Sequence, residues 1–144
     1  MNKISCASCD SEKVKKVRRK YATKYNQVPI SLEDVEMYEC SACGERFFTP
    51  EQARAVSIAT KNQVRQAQGL LSPEAIVEIR HRLDLSQTDL EELFGLGPKV
   101  VTRWETGRVV QSKTADVALR LLEMDPEKVH KLRARHRRVP AGVA

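Results

Sequence analysis

Aromatic residues and long apolar runs are both scarce in this 144-residue chain. Phe, Trp and Tyr make up 5% of the residues, and all apolar types together make up 41%. No segment approaches the roughly 18 consecutive apolar residues that mark a membrane-spanning helix. The stretch from Met1 to Cys6 also lacks the apolar core of a secretory signal. We therefore expect a cytoplasmic protein with no membrane association.

The charge and the length of the chain indicate its class of partner and its number of domains. The 25 basic and 19 acidic residues give a formal net charge of +6. A basic balance favours a polyanionic partner, nucleic acid first, although ordinary solubility explains it equally well. The length fits one domain or two small ones. A domain of about 50 residues buries too little apolar surface to be stable without a cross-link such as a metal ion or disulfides.

The four cysteines form two matched pairs, Cys6 with Cys9 and Cys40 with Cys43. In a reducing compartment such pairs are metal ligands or redox groups more often than structural disulfides. Two C-x2-C pairs supply the four thiolates of a closed tetrahedral zinc site, which is structural because no coordination position stays open. A thioredoxin-like pair would need a neighbouring βαβ unit, which is not visible, and four unrelated core cysteines would not pair. We expect one structural Zn²⁺ per chain, with iron as a possible substitute.

The pattern predicts an α+β protein, in which a small β-rich zinc module is joined by a helix to an all-α domain. Short β-favouring runs span 14–21, 24–31, 35–40 and 45–49. A helix starting at Thr49 and Pro50 has a thin apolar stripe; it is either a connector or part of one domain's core. The predicted divisions are 1–50 (zinc-binding), 51–70 (connector), 71–138 (helical) and 139–144 (a frayed tail).

Capping residues divide the helical zone. Ser72, Ser86 and Ser112 each precede a helical pattern, and Asp89 stands where a capping box needs an acceptor. Pro98 is predicted to open the helix that Gly107 closes. A fifth helix is predicted after Asp125 and Pro126.

Residues 86–107 have the order of a helix-turn-helix. Lys99, Thr102 and Arg103 share one face of the second helix, opposite an inward Val100, Val101 and Trp104. The long hydrogen-bond donors Lys99 and Arg103 on that face suit the edges of guanine in the major groove. A pair of basic residues on a helix is, however, often only part of a solvated surface. Gln87 and Arg108 are candidate phosphate contacts.

The stretch from Leu85-Ser86-Gln87 to Arg103-Trp104-Glu105-Thr106-Gly107 resembles the Cro/C1-type (XRE) helix-turn-helix family. Together with the two cysteine pairs, the chain from about residue 3 to 126 resembles the MqsA family of type II antitoxins, also called YgiT-type zinc-finger proteins. That resemblance implies a zinc-bound N-terminal domain that binds a toxin. It also implies a C-terminal domain that dimerises and binds a palindromic operator.

The resemblance extends to single positions. The four cysteines match the family's zinc ligands, and Arg103 matches its base-reading arginine. Lys99 stands where MqsA itself has asparagine, which implies that this chain reads a different base there. Asp10 follows the first cysteine pair where the family often has glycine, whereas Gly44 keeps the pattern.

Three functions remain open at this point. The first is an autoregulatory antitoxin that represses its own operon and neutralises a toxin. The second is a stand-alone repressor of a phage or mobile element with no toxin partner; a toxin-like neighbouring reading frame would favour the first. The third, a thiol enzyme, conflicts with a closed four-thiolate site, and the scattered His81, His130 and His136 suggest no catalytic group. We predict a non-enzymatic homodimer, with Leu121, Val129 and Leu132 available for the interface.

Overall fold

The computed structural model describes residues 3–137, without the side chain of the last of these. The predicted frayed tail at 139–144 lies outside the described residues. Elements follow in the order β1 (Val14–Tyr25), β2 (Val28–Cys40), β3 (Arg46–Phe47), α1 (Pro50–Gln68), α2 (Pro73–Arg82), α3 (Gln87–Phe94), α4 (Val100–Glu105), α5 (Lys113–Met124) and α6 (Glu127–Arg137). The chain forms two compact units, and the boundary falls within α1, between Val64 and Arg65. This is an α+β architecture, as predicted.

The N-terminal unit is built on a long antiparallel hairpin. Strand β2 pairs with β1 along its length, and β3 adds only two further pairs, Tyr38 with Phe47 and Glu39 with Arg46. The predicted strand at 24–31 is wrong, because the hairpin turn falls inside it. Asn26 and Gln27 both have left-handed φ angles, 45° and 70°, as a two-residue hairpin turn requires. The absence of glycine there concealed the turn.

A bulge interrupts the hairpin. The register shifts so that Arg19 pairs with Val35 but Tyr21 pairs with Leu32. Two residues of β2, Glu33 and Asp34, therefore stand opposite one residue of β1. Asp34 takes a left-handed φ of 54° to accommodate the extra residue. The predicted break between strands at 32–34 corresponds to this bulge and not to a loop.

Helix α1 begins where the sequence predicted. The Thr49 hydroxyl accepts the Gln52 amide N–H at 3.2 Å, and the Gln52 side chain accepts the Thr49 N–H at 3.1 Å. These reciprocal bonds form a capping box, with Pro50 at the first helical position. None of the described helices has the length and apolar content to span a bilayer.

The C-terminal unit holds the larger apolar core. Ile76, Leu90, Val101 and Leu119 are fully buried, and Trp104 is 3% exposed. The three predicted serine caps are confirmed: Ser72, Ser86 and Ser112 each accept an amide N–H three residues on, and Asp89 completes a capping box with Ser86. The end of α4 is also as predicted, with Gly107 past the helix at φ 78°.

Two predictions about this unit are wrong. Helix α4 begins at Val100, not at Pro98, because Lys99 has a left-handed φ of 65° and occupies the N-cap position. Val129 is only 4% exposed and packs into the unit's own core. It is therefore not available to a dimer interface, whereas Leu121 and Leu132 remain exposed at 59% and 42%.

A buried polar cluster links the turn after α1 to α5. Asp116, 3% exposed, accepts hydrogen bonds from the Leu71 amide, the Gln111 side chain and Arg120. Gln111 also donates to the Leu71 carbonyl at 2.8 Å and accepts from Arg65 at 3.3 Å. Since the Asp116 carboxylate receives three donors, it holds this turn in place.

We expect Asp116→Asn to destabilise the C-terminal unit in a pH-dependent way. Burial alone would raise the pKa of Asp116, but the bonds from Arg120, Leu71 and Gln111 hold that pKa below its usual 3.8. A depressed folded-state pKa contributes stability above the unfolded-state pKa of about 3.9, and this contribution disappears as the pH falls through the folded value. The loss at neutral pH should be about 1.5–3 kcal/mol, as for hydrogen bonds to a charged group.

Urea unfolding, followed by the fluorescence of the single tryptophan, Trp104, measures this effect. The difference between wild type and Asp116→Asn should shrink below about pH 4. Asp125→Asn is the control, because that carboxylate is half exposed and pairs only with Lys128. A difference for Asp116→Asn that stays constant from pH 7 to pH 2.5 would contradict the assignment.

Candidate metal centre and nucleic-acid interface

The four cysteines converge on one point in the N-terminal unit. Their sulfur atoms all lie within 4.8 Å of one another. Cys6 and Cys43 are 3.6 Å apart, and Cys9 and Cys40 are 3.7 Å apart, so the close contacts run between the two pairs. Zinc–sulfur bonds of about 2.3 Å in a tetrahedron give sulfur–sulfur edges of about 3.8 Å. This group of thiols could therefore hold a metal ion of that size.

Similar turns present the two pairs. The Asp10 N–H donates to the Cys6 carbonyl at 2.8 Å, and the Gly44 N–H donates to the Cys40 carbonyl at 2.9 Å. Asp10 and Gly44 both take left-handed φ angles, 58° and 79°. Aspartate tolerates this conformation better than most residues with a side chain. The departure from glycine at Asp10 therefore leaves the turn intact.

Backbone amides and neighbouring thiols shape the acidity of the cluster. The amides of Cys43 and Ala42 donate to the Cys40 sulfur, outweigh the effect of burial and lower the pKa of that thiol to about 7. The Glu45 amide acts the same way on Cys43, but the Cys9 thiol and burial outweigh it and raise the pKa of Cys43 to about 12. Four sulfurs this close cannot all ionise without a cation between them. A divalent ion removes that repulsion and stabilises four thiolates.

Helices α3 and α4 of the C-terminal unit cover the residues that were predicted to form a helix-turn-helix. Val101 and Trp104 are buried in the core, as predicted for the inward face. Helix α4 has no side-chain cap of its own. Instead, the carboxylate of Glu91 on α3 accepts the Val101 N–H at 3.1 Å. A residue of the first helix thus caps the second and fixes the angle between them.

A chain of polar side chains runs beneath α4. Arg80 on α2 forms a two-point ion pair with Glu105, at 2.6 and 3.2 Å, and both side chains are nearly buried, at 11% and 6% exposure. Gln87 donates to Glu105 at 2.6 Å and accepts from the Thr102 hydroxyl at 2.9 Å. Helices α2, α3 and α4 are therefore tied together by charge-assisted bonds.

The predicted DNA contacts occupy different environments. Lys99, Arg103 and Arg108 are exposed, whereas Gln87 and Thr102 are half-buried and bonded to each other. Sequence reasoning missed Arg80, Glu91 and Glu105. Arg80 and Glu105 lie 25 positions apart, so no local pattern connects them.

An apolar stripe lies exposed on the same unit. Val117, Leu121 and Met124 follow one another at helical spacing on α5, with exposures of 46%, 59% and 79%. Charged residues normally occupy such positions on a solvated helix. A stripe of this kind marks an interaction surface.

Comparison with known proteins gives two matches. The family of the antitoxin component of the bacterial toxin–antitoxin system, MqsA, matches residues 4–133, a range that includes the four cysteines and helices α3 and α4. The chain is also similar to Antitoxin MqsA of Escherichia coli (strain K12). The two are 27% identical over 103 residues, which cover 71% of this chain and 79% of that protein.

Proposed function

Because this chain belongs to the MqsA family of bacterial antitoxins, we propose that it is the antitoxin of a toxin–antitoxin pair that also represses its own operon. In this proposal the N-terminal unit, stabilised by one Zn²⁺ on Cys6, Cys9, Cys40 and Cys43, neutralises the toxin. The C-terminal unit binds operator DNA. The protein acts by binding and not by catalysis. The observation that carries the proposal is the family match across both units, together with the exposed Arg103 on the outer face of α4.

Arg103 is the proposed base-reading residue. It is exposed on α4, and the ion pair between Arg80 and Glu105 together with the Glu91 cap holds that helix. A rigid helix that presents an arginine suits bidentate bonding to guanine O6 and N7. Lys99 and Thr102 complete the proposed reading face. Gln87 and Arg108 are the proposed phosphate contacts.

We expect Arg103→Ala to lower affinity for the operator by about 1–3 kcal/mol per half-site and to relax preference at one base position. Gln87→Ala should weaken binding to all sequences about equally, because it removes a phosphate contact and loosens the support of α4. Since Gln87 is neutral, its loss should leave the salt dependence almost unchanged. Titration against the operator and its single-base variants measures both effects.

Arg54→Ala is the matched control, because it removes an exposed arginine of α1. It should change affinity by less than about twofold, a difference of about 0.4 kcal/mol. If Arg103→Ala lowers affinity for every operator variant by the same factor, the residue contacts the backbone and the proposed reading face is misplaced.

We propose that the α5 stripe of Val117, Leu121 and Met124, with Leu132 on α6, forms a two-fold dimer interface. A single helix-turn-helix covers only half of a palindromic operator, and a two-fold protein matches a two-fold site. The stripe offers the apolar surface that such an interface needs.

Leu121→Asp should therefore convert a dimer into a monomer, because a charge on each side of a two-fold interface is buried without a partner. Sedimentation equilibrium at micromolar concentration measures the change. Val28→Asp is the control, because Val28 is a similarly exposed apolar residue in the N-terminal unit, at 47%. A wild-type protein that is monomeric with and without operator DNA would contradict the dimer.

The neutralising activity has a direct test. The adjacent reading frame is expressed under an inducible promoter, with and without this chain. Growth arrest that the chain relieves supports the antitoxin function. If the neighbouring protein does not inhibit growth, or inhibits it equally in the presence of the chain, the chain is a repressor without a toxin partner.

A further inference from the structure

Strand β2 has a long free edge. On the side away from β1 its described neighbour is β3, which pairs only with Tyr38 and Glu39. The stretch 28–37 therefore has no strand partner on that side within residues 3–137. Unpaired N–H and C=O groups along an edge are a template for another strand. β1, the other long edge, carries six Lys or Arg residues, which discourage pairing. β2 carries none, and its edge is interrupted only locally, by Pro29 near one end and by the bulge at Glu33 and Asp34.

A groove of 1080 Å³ runs along this free edge. Six consecutive residues of β2, 31–36, line it. Side chains of a strand alternate between its faces on either side of the bulge, so a run that lines one groove with residues of both faces places that groove along the strand's edge. Helix α1 forms the opposite wall, with Gln52, Ala55, Val56, Ala59 and Gln63.

The charges of the groove select a basic occupant. Its lining contains two bases, Lys16 and Arg18, and four acids, Glu33, Asp34, Glu36 and Glu51. This corresponds to a formal charge of −2, in a protein whose net charge is +6. At the bulge the side chains of Glu33 and Asp34 are 73% and 72% exposed. They pair with Lys20 and Arg18, which are also exposed, and exposed pairs of this kind are weak enough to exchange partners. An approaching segment therefore meets carboxylates at the rim of the groove.

One hydrogen-bond acceptor on the helical wall has no donor. Within the described part of the chain, Oε1 of Gln63 is the one buried side-chain polar atom without a hydrogen-bond partner. Such an acceptor normally finds a partner when buried. Ala59 and Ala55 lie one and two turns before Gln63 on the same face, and their small side chains leave room for an occupant. The wall thus offers space and an open acceptor, which suits a chain rich in N–H donors.

We infer that this groove binds an extended, positively charged segment of the toxin, which adds to the free edge of β2 as a further strand. The inference rests on the antitoxin function proposed above and specifies its binding surface. Main-chain bonds to the edge would supply affinity. The acidic rim and the Gln63 acceptor would select basic side chains and set the register.

The test uses the full zinc-loaded chain and the protein encoded by the adjacent reading frame. Ala59→Trp fills the groove and should weaken binding by about tenfold or more. Its control is Ala67→Trp, an exposed alanine of the same helix outside the groove, which should bind within about twofold of wild type. Glu33→Lys and Glu51→Lys should each weaken binding by about three- to tenfold at low salt, and less as ionic strength rises. Glu45→Lys, with the same charge change outside the groove, is the control.

The outcomes separate the two proposals. If the wild-type chain does not bind the neighbouring protein, the antitoxin function and the groove assignment both fail. If the wild type binds and Ala59→Trp binds equally well, the groove assignment alone is overturned. If Ala59→Trp instead changes the oligomeric state of the chain in the absence of the neighbouring protein, the occupant is a second copy and the toxin assignment is wrong. Every groove variant should keep one zinc per chain and the wild-type far-ultraviolet β signal, which verifies that the N-terminal unit is folded.

Discussion

Cys40→Ser is expected to unfold the N-terminal unit and leave the C-terminal unit close to native. Cys40 is 1% exposed, and its sulfur lies 3.7 Å from that of Cys9. Binding of zinc to a four-ligand module contributes on the order of 10 kcal/mol, which is as large as the whole stability of a typical domain, about 5–15 kcal/mol. The apolar residues buried in the N-terminal unit are few: Cys6, Ile30, Met37, Cys40 and Val64. Without the metal, such a core cannot offset the entropy of folding.

Metal analysis and two spectroscopic signals measure the result. Wild type should contain one zinc per chain, and the variant should contain much less. The far-ultraviolet β signal should diminish, whereas the fluorescence of Trp104 should keep its wild-type unfolding midpoint, because separate units have separate cores. Ser41→Ala is the matched control, since it alters the same turn without removing a ligand. Zinc-free wild type that keeps a cooperative N-terminal unit would contradict a structural metal.

Glu105→Ala should lower the free energy of unfolding of the C-terminal unit by about 3–5 kcal/mol, the usual cost of leaving one charge of a buried pair without its partner. The variant removes both bonds from Arg80 and the bond from Gln87. Operator binding should weaken as well, because α4 loses its tie to α2 and α3. Tryptophan fluorescence in urea measures the stability.

Glu123→Ala is the control for that experiment. Glu123 also pairs with an arginine, Arg82, but the two side chains are 37% and 60% exposed. Exposed pairs contribute about 0–1 kcal/mol. Similar losses in the two variants would mean that burial does not strengthen the Arg80–Glu105 pair. The double variant Arg80→Met with Glu105→Leu should recover most of the stability but not the operator affinity, since the tie to Gln87 is still missing.

Local chemistry made much of this fold predictable. The serine caps of α2, α3 and α5, the start of α1 at Pro50 and the inward face of α4 all follow from residues within one turn of one another. The two cysteine pairs predicted the thiol cluster because the C-x2-C spacing directs both sulfurs of a pair to one centre. The hairpin turn at Asn26 and Gln27 escaped prediction because it uses left-handed residues other than glycine.

The errors share a physical origin in tertiary contacts. Pro98 looked like a helix start, but α4 begins two residues later, at Val100, and Glu91 caps it by accepting the Val101 N–H. Val129 was predicted to be available for a dimer interface, yet it completes the core of its own unit. The buried pair of Arg80 and Glu105 could not be read from either local segment. In each case a partner distant in sequence determines the environment.

The caps of α4 have an evolutionary consequence. Glu91, Arg80 and Glu105 hold this helix from within, whereas the side chains of Lys99 and Arg103 form no hydrogen bond or ion pair within the described residues and stay exposed. Under the proposed function, selection on stability acts on the first set of residues, and selection on DNA preference acts on the exposed Arg103. A substitution at Arg103 would then alter which sequence is bound while the fold keeps its stability, whereas Lys99 is more restricted because it holds a left-handed φ at the start of α4. Related chains would in this way diverge in their operators and avoid repressing one another's genes without first acquiring compensating mutations in the core.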